Sequence, residues 1–309
     1  MSLVAVGACY VDTILTTPHY PGEDEKLRAS SISRRRGGNC PNTLEVIQQL
    51  TARTTDASLN LVAILPEKSS VASQQIKTAF EPEVNLDRCI YREEFSEPAS
   101  SYIIKSSGTG SRTIVNYNEL PEMSVDELKR VIDEVGPRTT WFHFEGRIPD
   151  VVLAGIKYLR QQFPSVRVSV EVEKPQRPGL QELAVEADVV FYSKSWALGN
   201  GYKSAEECLR EQAKLTHNAT LLCCTWGQDG AVVLETKSTI LIHNLAYSAP
   251  DFEVVDTIGA GDTFIAGMLY GLLWKDDWDT TKKLSFANRV AGMKVAQDGF
   301  AGLARALDT

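Results

Sequence analysis

The chain has 309 residues, 43% of them hydrophobic and 23% charged, a composition that excludes disorder and collagen-like repeats. Lys and Arg number 32 against 40 Asp and Glu, and a net charge of −8 leaves no excess positive charge for nucleic acid or an anionic membrane. No apolar run approaches the roughly 20 residues of a bilayer span, no basic leader precedes Leu3, and none of the six Cys forms a CxxC pair, so a cytoplasmic protein with reduced thiols is expected.

In chain order, the apolar run Leu3–Cys9 predicts the first strand. β-Branched runs at Leu59–Ile64, Trp141–Phe144, Val166–Val172, Val189–Tyr192 and Leu221–Thr225 predict the next ones. Helical spacing recurs between them at Thr43–Leu50, Val71–Phe80, Val125–Val135, Val151–Gln162 and Ala205–Leu215. Near-continuous apolar strands separated by helices indicate a mostly parallel sheet covered on both faces, an α/β doubly wound fold. Residues 25–36 and 99–117 break this alternation. Their polar–apolar pattern predicts strands of a small antiparallel sheet standing off the main one. Such a sheet suits a lid over an active site and suits equally a decorative edge. Ile32, Ile103 and Ile104 are expected on its exposed apolar face. No internal repeat or low-complexity linker interrupts the chain, so residues 1–309 are expected to form a single domain with this appendage.

The strongest local signal is Asp256-Thr257-Ile258-Gly259-Ala260-Gly261-Asp262, between a strand-like Glu253–Val255 and helical spacing over Phe264–Trp274. Small residues at a helix start let backbone N–H groups approach an anion, and the helix N-terminus adds positive potential. Asp262 falls in the first turn, where a carboxylate either caps the helix or takes a proton from a hydroxyl attacking phosphorus.

The whole of Asp256–Asp262 resembles the D-T-x-G-A-G-D signature of the PfkB (ribokinase-like) carbohydrate kinase family, and Arg36-Gly37-Gly38-Asn39 with Asn42 resembles its N-terminal glycine motif. Segments around Arg112, Glu145, Glu171-Val172-Glu173-Lys174-Pro175 and Ser204 are collinear with the ketohexokinase (hepatic-type fructokinase) branch. Walker A and G-x-G-x-x-G patterns are absent. The resemblance implies a ribokinase-like fold and ATP-dependent phosphorylation of a ketohexose, fructose to fructose 1-phosphate. Ribose, a nucleoside or a modified sugar is the alternative acceptor, and a sugar-sensing protein without turnover is the alternative of another class.

Carried over residue by residue, the resemblance makes Asp262 the base and Gly259, Ala260 and Gly261 the anion hole. It makes Arg112 a contact to the transferring phosphate, and Asp12, Gly38, Asn39 and Asn42 the sugar ligands. Gly227 and Gly230, Lys194 and Asn288 correspond to nucleotide contacts. Asp256 and the Ile258 carbonyl correspond to a potassium site. Where many relatives carry N-x-x-E for magnesium, this chain has Ser193-Lys194-Ser195-Trp196, so Glu171 or Glu173 is expected to supply the missing charge. The branch also implies a homodimer clasped through the lid, with Asp24 reaching the partner's sugar site.

Overall fold

A computed structural model describes residues 1–52, 54, 56–80, 82–247 and 252–304. The first half of the chain runs β1 (Ser2–Val6), β2 (Tyr10–Thr17), β3 (Ser31–Gly37), α1 (Asn39–Thr51), β4 (Ser58–Val62), β5 (Ile64–Pro66), α2 (Val71–Phe80), β6 (Val84–Asn85), β7 (Ile90–Arg92), β8 (Ser100–Ser106), β9 (Arg112–Tyr117) and α3 (Val125–Val135). There follow β10 (Trp141–Phe144), α4 (Pro149–Gln162), β11 (Arg167–Val172), α5 (Leu180–Glu186), β12 (Val189–Tyr192), α6 (Lys194–Gly199), α7 (Ala205–Ala213), β13 (Leu221–Thr225), β14 (Ala231–Glu235), β15 (Ile240–Asn244), α8 (Ala260–Trp274) and α9 (Thr280–Val295).

Among the described residues the main sheet has nine strands in the order β15-β14-β13-β12-β11-β10-β1-β4-β6. From β13 to β6 neighbouring strands are parallel, and the hairpin β14–β15 adds an antiparallel edge. Side chains alternate along each strand, so β1 sends Leu3 and Ala5 to one core and Val4 and Val6 to the other. Helices α1, α2, α8 and α9 close the first core, and α3, α4, α5 and α7 close the second. This is the doubly wound arrangement that the apolar strands predict. No described helix is long and apolar enough to cross a membrane.

The small sheet has the order β3-β2-β8-β9. It contains a strand that the sequence pattern does not predict: the expected strand Leu3–Cys9 ends at Val6, and after Gly7–Cys9 the chain restarts as β2. β2 runs antiparallel to β3 and parallel to β8, and β9 completes an antiparallel hairpin with β8. Residues 25–30 form no strand, nor does Glu253–Val255, read above as strand-like. The register puts Thr13, Arg34, Tyr102 and Val115 in one row, and Leu15, Ile32 and Ile104 in another on the same face. Ile103 belongs to the opposite face and is buried, and Ile104 is half-buried, so the exposed apolar residues of this face are Ile32, Tyr102 and Val115.

Helix α3 shows how local signals hold a covering helix. Its N-cap Ser124 accepts from the Glu127 N–H at 3.2 Å, and Glu127 Oε2 accepts from the Ser124 N–H at 2.9 Å. Arg92 forks onto the same carboxylate at 2.5 and 3.0 Å, which holds Glu127 down at about 2, against the usual 4.5. A depressed acid contributes stability above its unfolded value and loses it as pH falls through the folded one. Glu127→Gln is therefore expected to cost roughly 1–3 kcal/mol at neutral pH in urea unfolding. The difference from wild type should vanish between about pH 4.5 and 2. A constant difference across that range would remove the ion pair from the explanation.

Candidate active site

Strand order reverses between β1 and β10, whose crossovers leave in opposite directions, and a crevice opens beyond their carboxyl ends. The small sheet stands over it and encloses a cleft of about 490 Å3. Asp12, Gly38, Asn39, Asn42, Arg112, Glu171, Glu173 and the turn Thr257–Asp262 all line this space. Residues 250 positions apart in sequence thus meet in one cleft.

The turn is shaped by glycine. Gly259 has φ +78°, and a Cβ there would lie 2.3 Å from the Phe300 ring, so no other residue fits without displacement. Helix α8 begins at once, and its orphan N–H groups face the cleft. Those of Gly259 and Gly261 have no partner among the described residues, whereas the Ala260 N–H is turned to the Thr257 carbonyl at 3.3 Å. The expected anion hole therefore has two free donors, not three.

Asp262 sits in the first turn of α8 and locks that helix to α1. Its Oδ2 accepts from Asn42 Nδ2 at 2.7 Å, and its carbonyl accepts from Thr43 Oγ1 at 3.2 Å. Asn42 is oriented in turn by Arg36, whose Nη1 donates to Asn42 Oδ1 at 3.2 Å and which also pairs with Glu45. Burial and the charge of Glu171 raise the Asp262 carboxyl well above the usual range. A raised carboxylate is a stronger proton acceptor once ionised, the property a general base requires.

A second acidic group faces it. Asn39 Nδ2 donates to Glu171 Oε2 at 2.7 Å and to Glu173 Oε2 at 3.1 Å, joining both carboxylates expected near a metal. The buried His143 spans Ser169 Oγ and Glu171 Oε1 at 2.8 and 2.9 Å, and burial lowers it to about 3, so it is neutral. Glu145 Oε2 accepts the Ala8 N–H at 2.8 Å. Burial raises Glu145 to about 7 and Glu171 to about 8, the neighbouring carboxylates adding to the rise. Lys174 Nζ pairs with Glu173 Oε1 at 2.7 Å, and the carboxylate oxygens crowded behind that pair form a donor set suited to a hard divalent ion.

On the lid side, Asp12 is buried in β2, packed over Gly37, where a Cβ would come within 2.4 Å of its carboxylate. Burial raises it, while the Ser101 hydroxyl, Arg35 and Arg36 oppose the rise. Arg112 opens β9 and reaches the turn, donating through Nη1 to Thr257 Oγ1 at 2.7 Å. The structure therefore assembles Asp262, the turn, Arg112 and the polar residues of β2 and α1 around one space.

Other expected residues lie elsewhere. Gly227 and Gly230 flank the short helical turn after β13, where Thr225 reaches the cleft but the glycines do not line it. Lys194 starts α6 and rests over the Trp226 ring at 5.3 Å. Asn288, expected near adenine, is buried, and its amide donates to the Asn244 and Leu245 carbonyls at 2.8 and 3.2 Å, fastening the end of β15. Asp24 lies in an exposed turn with φ +62°, outside its own chain's cleft. Asp256 stands behind the turn, and the cation on its carboxylate is protein: Lys294 Nζ at 2.8 Å from Oδ2. Sequence reasoning missed Lys294, Arg35 and Glu145. The buried stripe Leu284, Ala287, Val290 and Lys294 on α9 was the available signal for the first of them.

The pfkB family carbohydrate kinase profile matches residues 1–304. The chain is 33% identical to ketohexokinase of Mus musculus over 308 residues, 97% of this chain and 98% of that one. Among solved structures, ribokinase from Giardia lamblia superposes with a TM-score of 0.80 at 17% identity, covering 99% of this chain and 98% of that one. Arabidopsis thaliana ribokinase complexed with ribose and ATP superposes with a TM-score of 0.76 at 21% identity, covering 96% and 93%. At these identities the two ribokinases show a shared ribokinase-like fold.

Proposed function

The chain belongs to the pfkB family of carbohydrate kinases and is an ATP-dependent sugar kinase, and we propose that its acceptor is a ketohexose, with fructose converted to fructose 1-phosphate. Similarity to the mouse ketohexokinase along nearly the whole chain is the observation that carries the choice of acceptor.

In this reading Asp262 accepts the proton of the attacking hydroxyl as its oxygen bonds the γ-phosphorus. The bond from that phosphorus to the bridging oxygen breaks, and ADP leaves with the electron pair. The free N–H groups of Gly259 and Gly261 stabilise charge on the transferring phosphoryl group, and the Arg112 guanidinium covers its outer side. Asn42 holds the Asp262 carboxylate in one rotamer. Asp12 and Asn39 bind sugar hydroxyls, and Gly38 keeps the floor of the pocket low: its φ of +106° and a Cβ position 2.1 Å from the Ala8 carbonyl admit only glycine. Gly227, Gly230 and Lys194 bind the nucleotide beyond the end of β13. Glu171 and Glu173, linked by Asn39, are the residues that would hold magnesium, which when bound neutralises charge on the ATP phosphates. Six unpaired, buried thiols accord with a cytoplasmic location.

The outer face of the lid gives a homodimer its physical reason. Ile32, Tyr102 and Val115 are each more than half exposed, and a four-stranded sheet with such a face gains by covering it with a second copy.

Initial rates over a panel of ketohexoses, aldoses, ribose and nucleosides at equal concentration test the acceptor. Fructose should give the highest kcat/KM, with the product phosphate on O1. A nucleoside or ribose at the top of the panel would replace the acceptor and leave the kinase chemistry in place.

A further inference from the structure

The oxygens of Asp256 that the family resemblance assigns to potassium are already bonded to an ammonium group. Lys294, fully buried on α9, donates through Nζ to the Asp256 carbonyl at 3.0 Å and to Oδ2 at 2.8 Å. The Phe300 ring lies 5.2 Å from Nζ on another side, and this same ring packs under Gly259 of the turn. Arg35 from the lid sheet donates to Asp256 Oδ2 at 3.1 Å. The Ile258 N–H reaches Asp256 Oδ1 at 2.9 Å, and the Val255 and Asp256 N–H groups both bond the Val295 carbonyl. The start of the turn is thus tied to the C-terminal end of α9, with Lys294 at the centre of the tie.

A potassium ion does not fit this arrangement. It would need the Asp256 carboxylate that Lys294 and Arg35 already hold, and it would add a third cation to those two. Asp256 and Asp298, the latter 3.8 Å from Arg35, are the facing acids. A buried lysine carries its charge only where anionic and carbonyl oxygens receive it, and here they do.

We propose that Lys294 is a positioning residue that serves as a built-in monovalent cation for the 256–262 turn, so that turnover is independent of potassium. The proposal rests on the reading of that turn as the anion hole. An ammonium tethered through α9 keeps the Gly259 and Gly261 donors ordered before substrate arrives, as a bound ion would, without an ion having to be recruited.

The test compares wild type and Lys294→Met with potassium replaced by tetramethylammonium, which is too large for the position. Wild-type kcat should change by less than about twofold, and the melting temperature of the substrate-free protein should not respond to potassium. In potassium-free buffer Lys294→Met should lose roughly tenfold or more in kcat, with sugar KM little altered. Potassium or ammonium should restore part of the loss and raise the melting temperature of the variant alone. Wild-type turnover or melting that depends on potassium would overturn the proposal. So would a variant whose lost kcat no cation restores, since Lys294 would then be a structural ion-pair partner only. If the variant does not fold, the wild-type measurements decide. If wild type phosphorylates no acceptor, the anion-hole reading fails, and the melting comparison still decides the cation question.

Discussion

Asp262→Asn is expected to lower kcat by about 10²–10⁴ while leaving sugar and nucleotide binding close to wild type. The substitution keeps the shape of the side chain and removes its ability to take a proton. The local contacts survive it: an asparagine carbonyl can still accept from Asn42 Nδ2, and the Thr43 bond goes to the backbone. Stability should not fall either, because burial and Glu171 both disfavour the ionised carboxylate. The variant should therefore melt at or above the wild-type temperature at pH 8. That separates lost chemistry from lost fold. Near-normal turnover in a folded variant would mean that solvent or another group accepts the proton.

Local patterns in the sequence reached as far as local physics reaches. Val71–Phe80, Val125–Val135, Val189–Tyr192 and Leu221–Thr225 end in the structure at the same residues, because apolar spacing and breakers coincide there. The small sheet was harder to read. Nothing in Gly7–Cys9 announces that an apolar run stops being core and restarts as lid, and Tyr10–Thr17 alternates too weakly to stand out. Ala231–Glu235 and Ile240–Asn244 are short apolar runs that become strands by pairing with β13 at the sheet edge. Glu253–Val255 shows the converse, since a β-branched run without a partner strand remains irregular. The D-T-x-G-A-G-D turn and the asparagines of α1 stood out because glycine and amide chemistry leave few uses for that spacing. The bonds from Asn39 to Glu171 and from Lys294 to Asp256 span 132 and 38 positions and have no local signature. They depend on which helix the sheet order brings beside which strand. The Ala260 N–H, expected in the anion hole, is spent on the Thr257 carbonyl for the same kind of reason: the tightness of a turn is a backbone property that residue types alone do not specify.

Asp24 is expected to give the second large effect, as an effect of the proposed assembly. Within its own chain Asp24 is exposed in the loop between β2 and β3, away from the cleft. Its neighbour Glu25 accepts from the Gly22 N–H at 2.8 Å and meets His19 at 2.7 Å, which braces the loop beside it. A carboxylate held out in this way contributes nothing to its own pocket, and the clasped lids of a homodimer would carry it to the partner's. Asp24→Ala should then raise the sugar KM about 10- to 100-fold, the loss of one charged hydrogen-bond acceptor. Its kcat at saturating sugar should be retained. Asp262→Asn fails for the opposite reason, with sugar bound and no base. At low sugar both homodimers are nearly inactive. Mixing them gives dimers in which one site carries both lesions and the other carries neither, so chain exchange should restore about a quarter of wild-type activity in an equal mixture. Sedimentation at micromolar concentration establishes whether a dimer exists to mix. A monomer there, or a mixture no more active than the mean of its components, would return Asp24 to the role of a solvated loop acid.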